Sequence, residues 1–345
     1  MKEKSSILVT GGLGYIGSHT VIELINRGFD VQIIDNLCNS DISVLDRIYQ
    51  IVGIKPKFHH IDLRDLDSIK NCFRENKYNS IIHFAALKSV RESVLEPQKY
   101  YDNNIKSLEN IISSMELFRV NKLVFSSSCT VYGQPDILPV KENSPFKNPE
   151  SPYAETKQIC EDMIKNLCGE NSDIKIISLR YFNPIGAHSS RIIGESPNRI
   201  PENLVPYITQ TALGKFAFLK VFGSDYNTHD GTAIRDYIHI EDLSIAHVKA
   251  LNRLLNEKKL DSNYEYYNIG TGIGYSVFDV IKSFEKVSNL KLNYKILGRR
   301  DGDIEKIYAD TNKSLDKLNW TARRDLDDMM ESAWKWEKKN YKNDF

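Results

Sequence analysis

The chain reads as an α/β protein: a doubly wound parallel sheet of Rossmann type with a smaller mixed α/β substrate domain. Three observations carry this. Short β-rich runs alternate with longer helical stretches through the first half. A G-x-x-G-x-x-G loop, Thr10-Gly11-Gly12-Leu13-Gly14-Tyr15-Ile16-Gly17, lies between the first strand and the first helix. An acidic residue, Asp35, closes the second strand.

The elements follow in order. Ile7-Leu8-Val9-Thr10 is an unbroken apolar run, the pattern of a strand with helices on both sheet faces. Tyr15 to Arg27 puts Ile16, Val21, Leu24 and Ile25 on one helical stripe, and Gly28 is placed to end it. Further strands are predicted at 31–34, 58–61, 80–84, 122–125 and 174–179, with helices at 66–75, 103–118 and 153–167. The regular alternation stops after Asn183-Pro184. Residues 184–230 are rich in Gly, Pro, Asn and Ser around one clear helix at 204–213, which reads as an insert that closes over a ligand. Helices at 240–255, 277–287 and 326–338 and a strand near 266–269 complete the pattern. The expected division is a dinucleotide-binding domain at 1–183 and a second, ligand-binding domain at 184–345, with segments of the latter returning to the former.

Composition narrows the function. The 345 residues contain 46 Lys+Arg and 46 Asp+Glu, so the chain has no net field to attract nucleic acid or an anionic membrane. Any phosphate must be held by local features. With 41% hydrophobic and 27% charged residues the chain is globular. No run reaches the roughly 18 apolar residues of a membrane span, and the stretch from Ser5 to Val9 is too short for an export signal. Cys38, Cys72, Cys129, Cys160 and Cys168 are odd in number and form no C-x-x-C pair. They read as reduced, buried thiols of a cytoplasmic protein. No metal is expected: Asp225, Asn227 and His229 loosely suggest a calcium loop, but its glycine is one place late and Asp236 stands where a bidentate Glu is required.

In the glycine loop, one glycine permits the turn, one admits a pyrophosphate to the backbone and one lets helix and strand pack. The helix N-terminus then faces the phosphates with free N–H groups. Asp35 lies at the spacing of a ribose-hydroxyl acceptor and would repel a 2′-phosphate, which favours NAD over NADP. Asp62 either meets the adenine edge or caps the turn that follows it. Phe84-Ala85-Ala86 ends the fourth strand with small residues that let a cofactor approach. His83, alone in an apolar run, reads as a satisfied core histidine.

Tyr153-Ala154-Glu155-Thr156-Lys157 places a phenol and an ammonium on one helical face. Ser151 and Pro152 suit the helix start. A tyrosine is a poor base at neutral pH, with an ordinary pKa of about 10. A nearby ammonium and a nicotinamide cation favour its phenolate, which suits it to take a proton from a sugar hydroxyl. Ser126-Ser127-Ser128 ends the fifth strand, at the edge where such sheets bind ligands.

T-G-G-x-G-Y-I-G, I-D-N-L-C-N-S, H-F-A-A-L-K, Y-Y-D-N-N, S-S-S-C-T-V-Y-G, S-P-Y-A-E-T-K and L-R-Y-F-N-P-I-G-A-H closely resemble the extended short-chain dehydrogenase/reductase family, and within it the nucleotide-sugar 4-epimerases. The resemblance runs from the glycine loop to the R-R-D-G-D segment at 299–303. It implies reversible 4-epimerisation of UDP-glucose and UDP-galactose through a transient 4-keto sugar and bound NADH, by a cytoplasmic homodimer of galactose metabolism. Tyr153 would be the base, Lys157 would hold the nicotinamide ribose, and Ser128 would contact the sugar 4-oxygen. With Tyr153 and Lys157, the NAD contacts would be Gly11, Gly14, Tyr15, Ile16, Gly17, Asp35, Asn36, Asn39, Ser40, Asp62, Leu63, Phe84, Ala85, Lys88, Asn103, Ser126 and Tyr181. With Ser128, Asn183, Asn203, Leu204, Phe222, Arg235, Tyr237, Arg300 and Asp303 would bind the nucleotide sugar.

Arg235 and Arg300 have the geometry to clamp a pyrophosphate, or else they sit in surface salt bridges. Ile307 stands where the family often has a large aromatic or a small residue, so acceptance of N-acetylated sugars is left open, with Tyr308 next to it. Cys129 replaces a frequent Ala. A 4,6-dehydratase would need a carboxylate that Ser128-Cys129-Thr130 does not offer, a UDP-glucuronate-directed epimerase differs only in substrate, and an NAD-sensing binder would typically lack the Tyr-Lys pair. Helices near 103–118 and 153–167 would form the dimer contact.

Overall fold

A computed structural model describes residues 4–197, 200–300 and 302–341. The first part of the chain builds β1 (Ser6–Thr10), α1 (Tyr15–Asn26), β2 (Asp30–Asp35), α2 (Val44–Val52), β3 (Lys57–His60), α3 (Leu66–Glu75), β4 (Ser80–His83), α4 (Val90–Leu95) and α5 (Pro97–Tyr100). A π-helical turn, Tyr101–Ile105, leads into α6 (Lys106–Phe118), followed by β5 (Lys122–Ser128), α7 (Pro152–Glu170) and β6 (Lys175–Tyr181). Then come β7 (Asn183–Ile185), α8 (Leu204–Ala212), β8 (Leu219–Phe222), β9 (Ile234–His239), α9 (Ile240–Leu255), β10 (Tyr264–Ile269) and β11 (Gly274–Ser276). The last elements are α10 (Val277–Ser288), β12 (Tyr294–Leu297), β13 (Lys306–Ile307), α11 (Asn312–Leu318) and α12 (Leu326–Tyr341).

Seven parallel strands form the main sheet in the order β10-β6-β5-β4-β1-β2-β3. Ile7, Leu8 and Val9 of β1 are fully buried, because both faces carry helices. One apolar layer joins the sheet to α1, α2 and α9; the other joins it to α3, α6 and α7. The strand order reverses between β1 and β4, which opens a crevice at their carboxyl ends. The chain crosses the expected 183/184 division more than once. β10 is an edge strand of the main sheet and α9 packs on α1, while α8, α10 and α12 enclose a separate core.

Predicted and observed elements differ most where the apolar period is weak. The helices α2, α4 and α5 lie between predicted elements; α2 buries only Leu45 and Ile48. The predicted helix at 103–118 begins as a π turn, and strand β9 interrupts its apolar run with Arg235 and Asp236. Four cysteines are buried, but Cys38 is exposed in the loop after β2, which corrects the expectation of five buried thiols. Among the described residues no helix is long and apolar enough to cross a membrane.

Gly17 is where α1 meets the glycine turn. A Cβ there would overlap the Gly11 carbonyl and lie 2.8 Å from the Gly12 Cα, all of it backbone. Gly17→Ala should therefore cost about 2 kcal/mol or more, read as a lower melting temperature together with loss of dinucleotide binding.

Candidate active site

The crevice between β1 and β4 is built for close backbone approach. Gly11 has φ +67°, and a Cβ on it would sit 2.7 Å from the Ala85 nitrogen. The start of α1 has Gly14 as its cap with no side-chain capping bond, so its N–H groups are free to face phosphate. Gly11, Gly14, Asp35, Asn36, Asn39, Ser40, Asp62, Leu63, Phe84, Ala85 and Asn103 line this crevice together, with Cys38 and Ser107 added. These features fit an adenine dinucleotide. The Asp35 carboxylate also organises the loop: it accepts from Leu13 N (3.1 Å), Leu37 N (2.9 Å) and Ser40 Oγ (2.8 Å).

Asp62 caps the turn that follows it by accepting from Arg64 N (2.9 Å). It accepts from Asn36 Nδ2 (3.2 Å) and pairs with Arg64 (2.6 Å), and the Arg64 hydrogen bonds hold its carboxyl down at about 2. The cap of α3 is Asp65, which accepts from Asp67 N and Ser68 N. His83 is a core residue, buried and bonded to Thr10 Oγ1 (2.8 Å). Tyr15, Ile16, Gly17, Lys88, Ser126 and Tyr181 stand outside the adenosine end of the crevice. Tyr15 donates to the Gly186 carbonyl (2.7 Å), Ile16 packs into the core, and the Tyr181 hydroxyl pairs with Ser126 Oγ.

Tyr153, Lys157 and Ser128 converge at the carboxyl end of β5. Ser151 caps α7 by accepting from Ala154 N (3.2 Å), and Pro152 follows at the first helical position. Tyr153 lies beside the Ser128 side chain. Burial pushes the Tyr153 phenol up to about 12, against the pull of Ser128. Lys157 Nζ donates to the Ser126 carbonyl (2.8 Å), and burial brings its ammonium down to about 8. In the chain alone Tyr153 is therefore a phenol. Work as a base at neutral pH requires further positive charge beside the ring.

The remaining predicted residues lie on β7, α8, β8, β9 and the segment after β12. Arg235 on β9 forms an ion pair with Asp303, so Asp303 is engaged by protein rather than left open. Arg300 lies over the Phe222 ring, 3.9 Å from its centroid. Asn183 starts β7 and pairs in register with Tyr237, which is buried with α8 and α12. Leu204 begins α8 and packs on the same core. Lys88 and Asn203 come from opposite sides and meet at Glu195 Oε1, at 3.3 and 2.6 Å. Ile307 is buried beside Cys129 and Phe182 and pairs with Arg235 in the sheet. His229, from the rejected calcium loop, lies near Asp230 and Asp279 at the surface, outside this site.

Sequence reasoning passed over two contributors. Asn104 bonds both Leu87 N and O (2.8 and 3.0 Å) and Thr156 Oγ1 (3.1 Å), tying the cofactor crevice to α7; its place beside Asn103 was the available signal. Glu195 lies in an irregular loop with no motif to mark it.

A doubly wound parallel sheet with a Tyr-Lys-Ser set at its carboxyl edge defines a short-chain dehydrogenase/reductase. A family model described as GDP-mannose 4,6 dehydratase matches residues 8–333. The chain is 50% identical over 337 residues to UDP-glucose 4-epimerase of Pasteurella multocida, covering 98% of each, and 46% identical to that of Bacillus subtilis, covering 97% of each. A solved UDP-glucose-4-epimerase from Stenotrophomonas maltophila, with bound NAD and formylated UDP-arabinopyranose, superposes with a TM-score of 0.95 at 44% identity, covering 98% of this chain and 99% of that one. UDP-glucose 4-epimerase from Bifidobacterium longum, in complex with NAD+ and UDP, gives 0.93 at 43% identity over 98% and 99%. The chain belongs to the UDP-glucose 4-epimerase family of the extended short-chain dehydrogenase/reductases.

Asp35→Ala removes an acceptor from the crevice and unties Leu13 and Ser40. Calorimetry with NAD should show binding weakened about tenfold or more.

Proposed function

We propose that this protein interconverts UDP-glucose and UDP-galactose by epimerisation at C4, with NAD as a resident cofactor. The observation that carries the reading is the meeting of Tyr153, Lys157 and Ser128 at the end of β5, beside a crevice fitted to an adenine dinucleotide. Asp35, Asn36, Asn39 and Ser40 would hold the adenosine half, the start of α1 the pyrophosphate, and Lys157 the nicotinamide ribose. When bound, NAD supplies a reversible hydride acceptor for the sugar C4, so the reaction has no net redox change.

The residues have separate tasks. Ser128 positions the sugar 4-oxygen and Tyr153 takes its proton. Lys157 and the cofactor's positive charge bring the phenol into range, against the burial that raises it. The 4-keto sugar turns within the pocket so that C4 presents its other face when its hydride is returned, and Tyr153 gives the proton back to the 4-oxygen. Arg235, Arg300, Phe222, Tyr237, Leu204, Asn183, Asn203 and Asp303 would grip the UDP moiety while the sugar stays free to turn. The Arg235–Asp303 pair would open or share its guanidinium when a pyrophosphate arrives. Ile307, of intermediate bulk, would set the room beside the sugar. The same reading extends to two domains divided near residue 183, a homodimer through α6 and α7, and a cytoplasmic role in galactose metabolism.

The family model bears a dehydratase's description, but elimination needs an acid–base pair that Ser128-Cys129-Thr130 lacks. Purified protein given UDP-galactose without added NAD should form UDP-glucose; no product from a preparation that contains NAD would contradict the proposal. Tyr153→Phe should lower kcat by about 10²–10⁴ while NAD content stays unchanged. The Lys157 charge is present below about 8 and lost above it, so activity should fall as pH rises through that value.

A further inference from the structure

Behind the Tyr-Lys-Ser set lies a buried ion pair that the chemistry above does not use. Glu161 and Arg180 are 2% and 3% exposed. Arg180, on β6, donates Nε to Glu161 Oε1 (2.9 Å) and NH2 to Oε2 (2.5 Å). Tyr264 adds a bond to Oε2 (2.9 Å), and Ser127 Oγ donates to Oε1 (2.5 Å). The rest of the guanidinium reaches Tyr132 OH (3.0 Å) and the Glu142 carbonyl (2.9 Å), under the rings of Tyr132, Phe146 and Tyr266. Stability alone does not account for such a pair, since well-packed apolar residues commonly replace one without loss.

Its placement does. Tyr153, Lys157 and Glu161 are spaced four apart along α7 and share a face. They engage the end of β5 in steps: Tyr153 with the Ser128 side chain, Lys157 with the Ser126 carbonyl, and Glu161 with the Ser127 hydroxyl. We propose that Glu161 and Arg180 are positioning residues of the active site: the pair fixes the strand end through Ser127, and the Glu161 carboxylate supplies the negative charge that offsets burial of the Lys157 ammonium. This rests on the Tyr153–Lys157 chemistry proposed above.

The groups facing Lys157 support the assignment. From α7 these are Tyr153, Cys160 and Glu161; from β4, His83; from β5, the Ser126 carbonyl and the Phe125 ring; from β6, Tyr181 through Ser126; from the π turn, Asn104 near Cys160. Burial keeps His83 neutral, at about 3, and holds the Cys160 thiol at about 11. Against desolvation the Lys157 ammonium is raised by Cys160 and then by Glu161, and of these two Glu161 is the carboxylate.

The two partners have opposite charges, so their removal separates a charge role from a packing role. In the holoenzyme with UDP-galactose, Glu161→Gln should shift the alkaline limb of the pH–rate profile down by about one pH unit and lower kcat, with KM nearly unchanged. Arg180→Gln disturbs the same packing but should shift that limb up. Limbs that stay fixed, or move in the same direction, would overturn the charge role. Ser127→Ala leaves the ion pair whole and should lower kcat several-fold at constant KM, which keeps the positioning role testable if either charge variant fails to fold. An unchanged kcat in that variant overturns the tie to β5. A wild-type enzyme inactive on UDP-galactose overturns the underlying reading itself, and is distinct from active enzyme with unmoved limbs.

Discussion

The hydrogen bond from Lys157 Nζ to the Ser126 carbonyl joins the helix that carries the phenol to the strand that carries the serine. It lies inside the protein, where a hydrogen bond is electrostatically stronger and an unpaired ammonium is costly. It sets the orientation of Lys157, and through α7 that of Tyr153. Both groups therefore depend on β5 ending at this height in the sheet. The parallel strands place that end beside the crevice opened by the reversal between β1 and β4. A helix, a strand end and a glycine turn thus meet at one edge because the sheet's topology brings their carboxyl ends together.

The electrostatic arrangement is unbalanced in the chain alone. Burial moves the phenol up and the ammonium down, away from the values each needs for proton transfer at neutral pH. Positive charge arriving with a dinucleotide corrects the phenol, while the buried carboxylate of Glu161 supports the ammonium. The protein's net charge of zero adds no general field that could do either. Charges are placed singly and close, which suits a pocket that must bind a dianionic pyrophosphate without attracting every polyanion.

The main sheet was legible because its strands are buried on both faces and its helices carry clear apolar stripes. Ile7 to Thr10 and the α1 stripe left little freedom. The glycine loop, Asp35 and the Tyr-Lys pair were legible because each needs a fixed residue type at a fixed spacing. The small sheet around β9 was not, since Arg235 and Asp236 break the apolar alternation where the site needs charge. Contacts made across long separations left no local pattern either: Arg235 with Asp303, Lys88 and Asn203 with Glu195, and Arg180 with Glu161. Asp62 was legible in both of its readings, lining the crevice and capping the turn after it, while the cap of α3 itself is Asp65.

The central claim is that the sugar C4 is oxidised and reduced again within one closed site. The most direct measurement follows deuterium placed at C4 of UDP-galactose through a single turnover in ordinary water. The account predicts UDP-glucose that retains the label at C4, formed with a primary isotope effect. Loss of the label to solvent, or a product lacking a 4-hydroxyl, would contradict it.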